Sequence, residues 1–125
     1  MELTYKILLF FNITLFIIHQ MDAIRTKEWK MIKFFQKTDD KIAEKIFIWL
    51  HIFLFAAIFM LLETSFNLLL WLMTAFGIIH KLLHILFKNH PNNNVKETFS
   101  TIIIDGIFIT SIITLIVKLL EEIYV

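Results

Sequence analysis

The sequence predicts an all-α fold, an integral membrane four-helix bundle built as a single transmembrane domain over residues 1–125, and three observations predict it. Hydrophobic residues make up 58% of the chain and its mean hydropathy is +0.76, above the roughly half-apolar composition of soluble domains. The apolar residues form long continuous runs and do not alternate with period two, which argues for helices over strands. Inside a bilayer a chain must satisfy its own backbone groups, and helices do so segment by segment. Only two glycines and one proline interrupt the 125 residues, so these helices have few breaks.

Four segments have the length of about 20 residues that a crossing helix needs. The first, residues 3–20, carries Lys6 near its start, where the long side chain snorkels toward headgroups. Its apolar core is short enough to suggest a signal peptide. The n-region, however, sets only Lys6 against Glu2, and "MDA" before Ile24 is a poor cleavage site, so a retained anchor is expected. The second span covers residues 43–62 and is uncharged through its core up to Leu62. The third, residues 64–87, follows after a tight turn around Glu63 to Phe66 and ends in His80, Lys81 and His84. The fourth, residues 98–117, contains one charge, Asp105.

Two connections remain. "DAIRTKEWKMIKFFQKTDDKIAEK" interleaves charges with Trp29, Met31, Ile32, Phe34 and Phe35, the pattern of a short amphipathic helix lying in the headgroup layer. "KNHPNNNVKE" is the turn-rich stretch between spans three and four. Four crossings put these connections on one side of the membrane. That side takes ten of the twelve Lys and Arg residues: Arg25 and Lys27, 30, 33, 37, 41, 45, 81, 88 and 96. The positive-inside bias then sets the connections in the cytoplasm and both termini outside, in a cell inner (cytoplasmic) membrane. The expected partner is the lipid bilayer, with a second membrane protein or another copy of the chain as further candidates. No nucleic-acid motif accompanies the basic residues, and nucleic acid is not expected as a partner. With no cysteine, disulfides, thiolate nucleophiles and Cys-based metal sites are excluded.

The polar residues gather toward that same side. His19 ends span one. His51 lies about two turns into span two, roughly 9 Å deep. His80 and His84 close span three one above the other, His90 follows in the loop, and Glu97 and Asp105 lie at the start of span four. Asn12 stands two turns before His19 on the same face. Imidazole and carboxylate together suit Zn, Fe or Mn, so His19, Asp22, His51, His80 and His84 are the candidate ligands and Glu28 the candidate acid/base group. Asn12, His90, Glu97 and Asp105 complete a polar layer. No separate cofactor site is expected. Plainer roles exist for each. His80 and His84 can meet headgroups or backbone carbonyls, and His51 can bond to a neighbouring helix. His90 beside Pro91 suits a turn, Asp105 can pair with a Lys, and Trp29 can anchor at headgroup level.

The stretches "HQMDAIRTKEW" and "HKLLHILFKNHPNN" resemble two signatures of a family of small bacterial four-pass membrane proteins of unknown function. Its pattern, HxxDAxxxxEW early and HxxLHxxFxxHPxN late with a histidine in the second span, carries over to His19, Asp22, Ala23, Glu28, Trp29, His51, His80, Leu83, His84, Phe87, His90, Pro91 and Asn93. Asp105 lies outside that pattern. A looser, architectural similarity links the chain to HXXEE membrane-domain proteins, although Asp22 and Ala23 stand where that motif has two glutamates. Neither resemblance implies a particular activity. Two functional readings follow: a His/carboxylate metal-dependent membrane enzyme or redox protein with its site at the cytoplasmic interface, or a non-enzymatic accessory or scaffold protein whose polar layer fixes helix packing. A transporter fits less well, because no helix is broken at mid-bilayer and the ionisable groups crowd one half.

Overall fold

The structure, a computed structural model, describes residues 2–95 and 97–124, the side chains of Glu2 and Tyr124 excepted. Lys96, one of the ten basic residues assigned to the loop side, lies outside the described residues. Four helices carry the fold: α1 (Glu2–Thr26), α2 (Asp40–Thr64), α3 (Phe66–Leu86) and α4 (Thr98–Tyr124). All four are long and apolar enough to cross a membrane, and the chain is a multi-pass membrane protein.

Helix α1 buries one face against the others through a seven-residue repeat. Tyr5, Leu9, Asn12, Phe16, His19, Ala23 and Thr26 recur in alternating steps of four and three, and none is more than 6% exposed. This is the a/d seam of left-handed helix packing, with a polar side chain at every d position. Phe16 sits edge-on to Phe55 of α2 and Phe76 of α3 and locks three helices together. Helix α2 is the converse. It buries only Ala43 and Ile58 and turns Trp49, Phe53 and Phe59 outward, as suits a helix whose surroundings are lipid tails.

Helices α3 and α4 approach closely through small residues. A Cβ on Gly77 would fall on the Ser111 hydroxyl and lie 3.0 Å from Ile107 Cγ2, so only glycine permits this crossing. Ser111 Oγ accepts a hydrogen bond from Asn12 Nδ2 at 3.0 Å, tying α1 into the same contact. Buried Thr74, Thr110 and Thr114 donate to the carbonyls of Leu70, Gly106 and Thr110 in their own helices, so their hydroxyls are satisfied without water.

The connections follow local chemistry. Ser65 alone joins α2 to α3: its N–H donates to Leu61 and its carbonyl accepts from Leu69. Asp39 caps α2 by accepting from the N–H groups of Lys41 and Ile42. The segment between α1 and α2 differs from the single interfacial helix the sequence suggests. It forms two short 3₁₀ turns, Glu28–Met31 and Lys33–Phe35, with Lys27 left-handed (φ 54°) before them and Ile32 extended between. The reason is geometric. Trp29 and Phe35, six residues apart, would stand about 120° apart around one α-helix. Broken at Ile32, the chain packs both against Ala43 and leaves Ile32 and Phe34 facing outward.

Candidate metal centre

Three elements converge at the end of the bundle where the two long connections lie. The last two turns of α1 bring His19 inward on the buried seam. The last two turns of α3 bring His80 and His84, one helical turn apart. The first 3₁₀ turn brings Glu28, held by the burial of its neighbour Trp29.

The ring nitrogens meet. His80 Nε2 lies 2.7 Å from His19 Nε2 and 3.0 Å from His84 Nε2. Each ring stands edge to face with its neighbour, and His80 also stacks on Phe76 at 5.0 Å, which fixes the ring planes. Glu28 Oε2 approaches His19 Nε2 at 3.7 Å and His84 Nε2 at 3.9 Å. Burial, with the charge of Asp22 adding to it, pushes the Glu28 carboxyl up to about 7.

Hydrogen bonding alone serves this cluster poorly. A neutral imidazole Nε2 either donates one proton or offers one lone pair. His80 Nε2 faces two equivalent nitrogens and can make only one good bond with them. His19, 1% exposed, also has no partner at Nδ1, and Glu28 Oε1 and Asp22 Oδ2 are likewise buried without one. Three imidazoles around one ion at 2.0–2.1 Å, set tetrahedrally, stand about 3.3 Å apart, so the observed contacts need open by only a few tenths of an ångström. His19, His80 and His84 are the one such group among the described residues in which three potential ligand atoms lie within 4.8 Å of one another.

The remaining sequence candidates have partners of their own. His51 is not in the three-nitrogen cluster: one ring nitrogen meets the Phe47 carbonyl and the other the Gln20 side chain, both at 2.6 Å. Phe47 O can only accept, so Nδ1 carries the proton, and Nε2 lies against Gln20 Oε1. Asp22 lies one turn beyond His19, with Oδ1 accepting from Arg25 Nε and Nη2 at 2.9 and 2.7 Å. Arg25 also reaches Glu97 at 2.8 Å, joining α1 to the start of α4 and holding the Glu97 carboxyl below its usual range. Asp105 pairs with Lys81 across α3 and α4. His90 accepts the Asn92 N–H through Nδ1, a turn role, and its ring borders the same cavity as the cluster. Asn12 lies deeper, on Ser111.

Sequence reasoning gave no role to Gln20, Arg25, Asn92 or Asn94, carried Asn93 only through the family pattern, and left the lysine partner of Asp105 unidentified. Arg25 was findable as the i,i+3 partner of Asp22, and Lys81 as the cation one residue past His80. The asparagines act through backbone that no periodicity reveals. Asn92 donates to Lys30 O and Asn94 to Thr26 O, lashing the second connection over the first, while Asn93 staples its own turn through Phe87 O, Lys88 O and the Val95 N–H.

No curated protein and no solved structure matches this chain. A family model described as a family of unknown function, DUF6713, matches residues 5–121. The chain therefore belongs to the DUF6713 family.

Proposed function

We propose that the chain is an integral membrane metalloprotein in which His19, His80 and His84 hold one Zn, Fe or Mn ion and Glu28 serves as the acid/base group beside it. The observation that carries this reading is the convergence of three Nε2 atoms, at 2.7 and 3.0 Å, in a buried site whose hydrogen-bonding needs they cannot meet among themselves. Three protein ligands with a further position open is the pattern of catalytic rather than closed structural ions. An ion so held would supply Lewis acidity or, with iron or manganese, redox chemistry. Glu28, a carboxyl raised to about 7, suits proton transfer at that position. His51 and Asp22 stand behind the ligands: His51 orders Gln20 next to His19, and the Asp22 charge acts on Glu28. The substrate is membrane-borne, because the cluster borders a cavity with mostly apolar walls at headgroup level. The two connections face the cytoplasm, on the positive-inside argument.

The second reading, a packing network without metal, draws on the same 2.7 Å contact, which is a normal hydrogen-bond length. Elemental analysis separates the two. Protein purified without chelator and without a polyhistidine tag is expected to carry about one ion per chain, lost in the His80→Ala/His84→Ala variant. Metal-free wild-type protein that stays empty after incubation with Zn, Fe and Mn favours the packing network.

A further inference from the structure

The cluster forms the floor of a cavity of about 770 Å³, within the range of about 300–1,000 Å³ typical of small-ligand sites. Its walls are Met31, Ile32, Phe47, Phe76, Leu83 and Phe87, and its polar floor is His19, Glu28, His80 and His84. The rim is exposed: Ile32 is 51%, Leu83 44% and Phe87 39% accessible, and Lys33 and Gln36 stand open beside them. Leu83 on α3 and Phe87 just past its end are exposed on the outer surface of the bundle, so in a bilayer the cavity opens toward acyl chains and headgroups together.

Charge at the rim is uneven. Lys27 and Lys30 share the single carboxylate of Asp40, each at 3.0 Å, and neither lines the cavity. Lys33 has no anionic partner among the described residues. Lys33 is thus the lysine among the residues that line the cavity, and it stands beside the outward-facing Ile32 and Phe34.

We propose that this cavity binds a single-chain anionic amphiphile, a long-chain fatty acid, with its carboxylate on Lys33 and its hydrocarbon chain lying inward over the histidine floor. The direction follows from desolvation. A carboxylate is costly to move into a slot walled by hydrocarbon and aromatic rings, whereas at the rim it keeps water and gains Lys33. The chain gains burial against Phe47, Phe76 and Leu83. One lining lysine matches one carboxylate, and a two-chain anionic phospholipid is the competitor the test sets against the fatty acid. This inference deepens the metal reading, on which it rests for what the site does to the chain: the part of the ligand presented to the histidines is hydrocarbon, not headgroup. Binding itself needs only the cavity and Lys33.

The test uses Trp29, which packs 5.3 Å from the cavity-wall ring of Phe47. The other two tryptophans, Trp49 and Trp71, are 63% and 41% exposed, so Trp49→Phe/Trp71→Phe leaves Trp29 as the reporter. This variant is placed in zwitterionic phospholipid nanodiscs and titrated with a fatty acid brominated in its chain, a contact quencher. Saturable quenching is expected, reversed by the unbrominated acid and about tenfold less well by the alcohol of equal length. Lys33→Glu is expected to weaken binding about tenfold with the fold intact, since Lys33 is exposed. Leu83→Trp, read by displacement of a fluorescent fatty acid, is expected to close the slot. Quenching that merely tracks the bromolipid mole fraction, equal competition by the alcohol or by an anionic two-chain phospholipid, or no effect of Lys33→Glu overturns the proposal. Chelator-treated and metal-loaded protein are titrated in parallel. Saturable binding in protein that never holds metal supports the cavity and ends the metal reading. Stoichiometric metal without saturable quenching overturns the cavity proposal alone.

Discussion

At the scale of single residues, the site is a small set of side chains with too few partners. His19 is the clearest case: it sits at a d position of the buried seam, 1% exposed, with Nε2 facing His80 and Nδ1 facing nothing that bonds. An ion lets each of the three rings offer a lone pair in the same direction, which hydrogen bonds do not allow. Ligands and supporting groups should therefore separate on mutation. His84→Ala is expected to abolish stoichiometric binding, and Glu28→Gln to keep it while weakening affinity about 10- to 100-fold, the effect of losing a supporting group. Competition titration against a chromophoric chelator checks both, and equal losses in the two variants would contradict the division of roles. The sequence made the three histidines and Glu28 legible through type and spacing, His80 and His84 at i,i+4 above all. It also suggested His51, whose actual partners, Gln20 and the Phe47 carbonyl, depend on how far α2 is rotated against α1. Rotation of one helix about its axis is a tertiary quantity that a residue list does not contain.

At the scale of elements, the histidines are held together by how α1, α3 and α4 pack. The polar d positions of α1, at Tyr5, Asn12, His19 and Thr26, each find a partner: Glu121 for Tyr5, Ser111 for Asn12, His80 for His19 and the Asp22 carbonyl for Thr26. The seven-residue spacing is visible in the sequence, and Asn12 with His19 showed part of it. Completing the stripe required knowing that Tyr5 and Thr26 are buried rather than interfacial. Gly77 sets the distance between α3 and α4. Gly77→Ala is expected to destabilise by about 1–3 kcal/mol, because its methyl group meets Ser111 and Ile107 inside a packed contact. Gly106→Ala is the control. Its Cβ would meet only the tip of Leu15, at 3.1 Å, and alanine gains up to about 1 kcal/mol of helix propensity, so the change should be near neutral. Thermal unfolding in detergent distinguishes them, and similar melting temperatures for the two variants would show that the α3–α4 approach is looser than described. The connection between α1 and α2 was the least legible element. Its amphipathic pattern was read as a helix, and the need to bury both Trp29 and Phe35 against Ala43 broke it into two turns.

At the scale of the whole molecule, one end of the bundle carries both long connections, the histidine cluster and its cavity, while the other carries the Ser65 turn and the Tyr5–Glu121–Lys118 group. Fold class and the number of crossings were legible because composition and run length report directly on the bilayer. Orientation rests on the distribution of basic residues. With no native cysteine, single-cysteine variants report it cleanly. Thr38→Cys and Asn89→Cys are expected to react with a membrane-impermeant maleimide only after permeabilisation, and Glu63→Cys in intact cells; the reverse pattern inverts the topology. The central claim is that three imidazoles share one ion. X-ray absorption of the zinc-loaded protein tests it most directly. The account predicts three nitrogen scatterers at about 2.0–2.1 Å with the outer-shell signature of imidazole, and loss of that imidazole-coordinated zinc in His80→Ala/His84→Ala. A first shell of oxygens with no imidazole pattern, or a spectrum unchanged in the double variant, would contradict it.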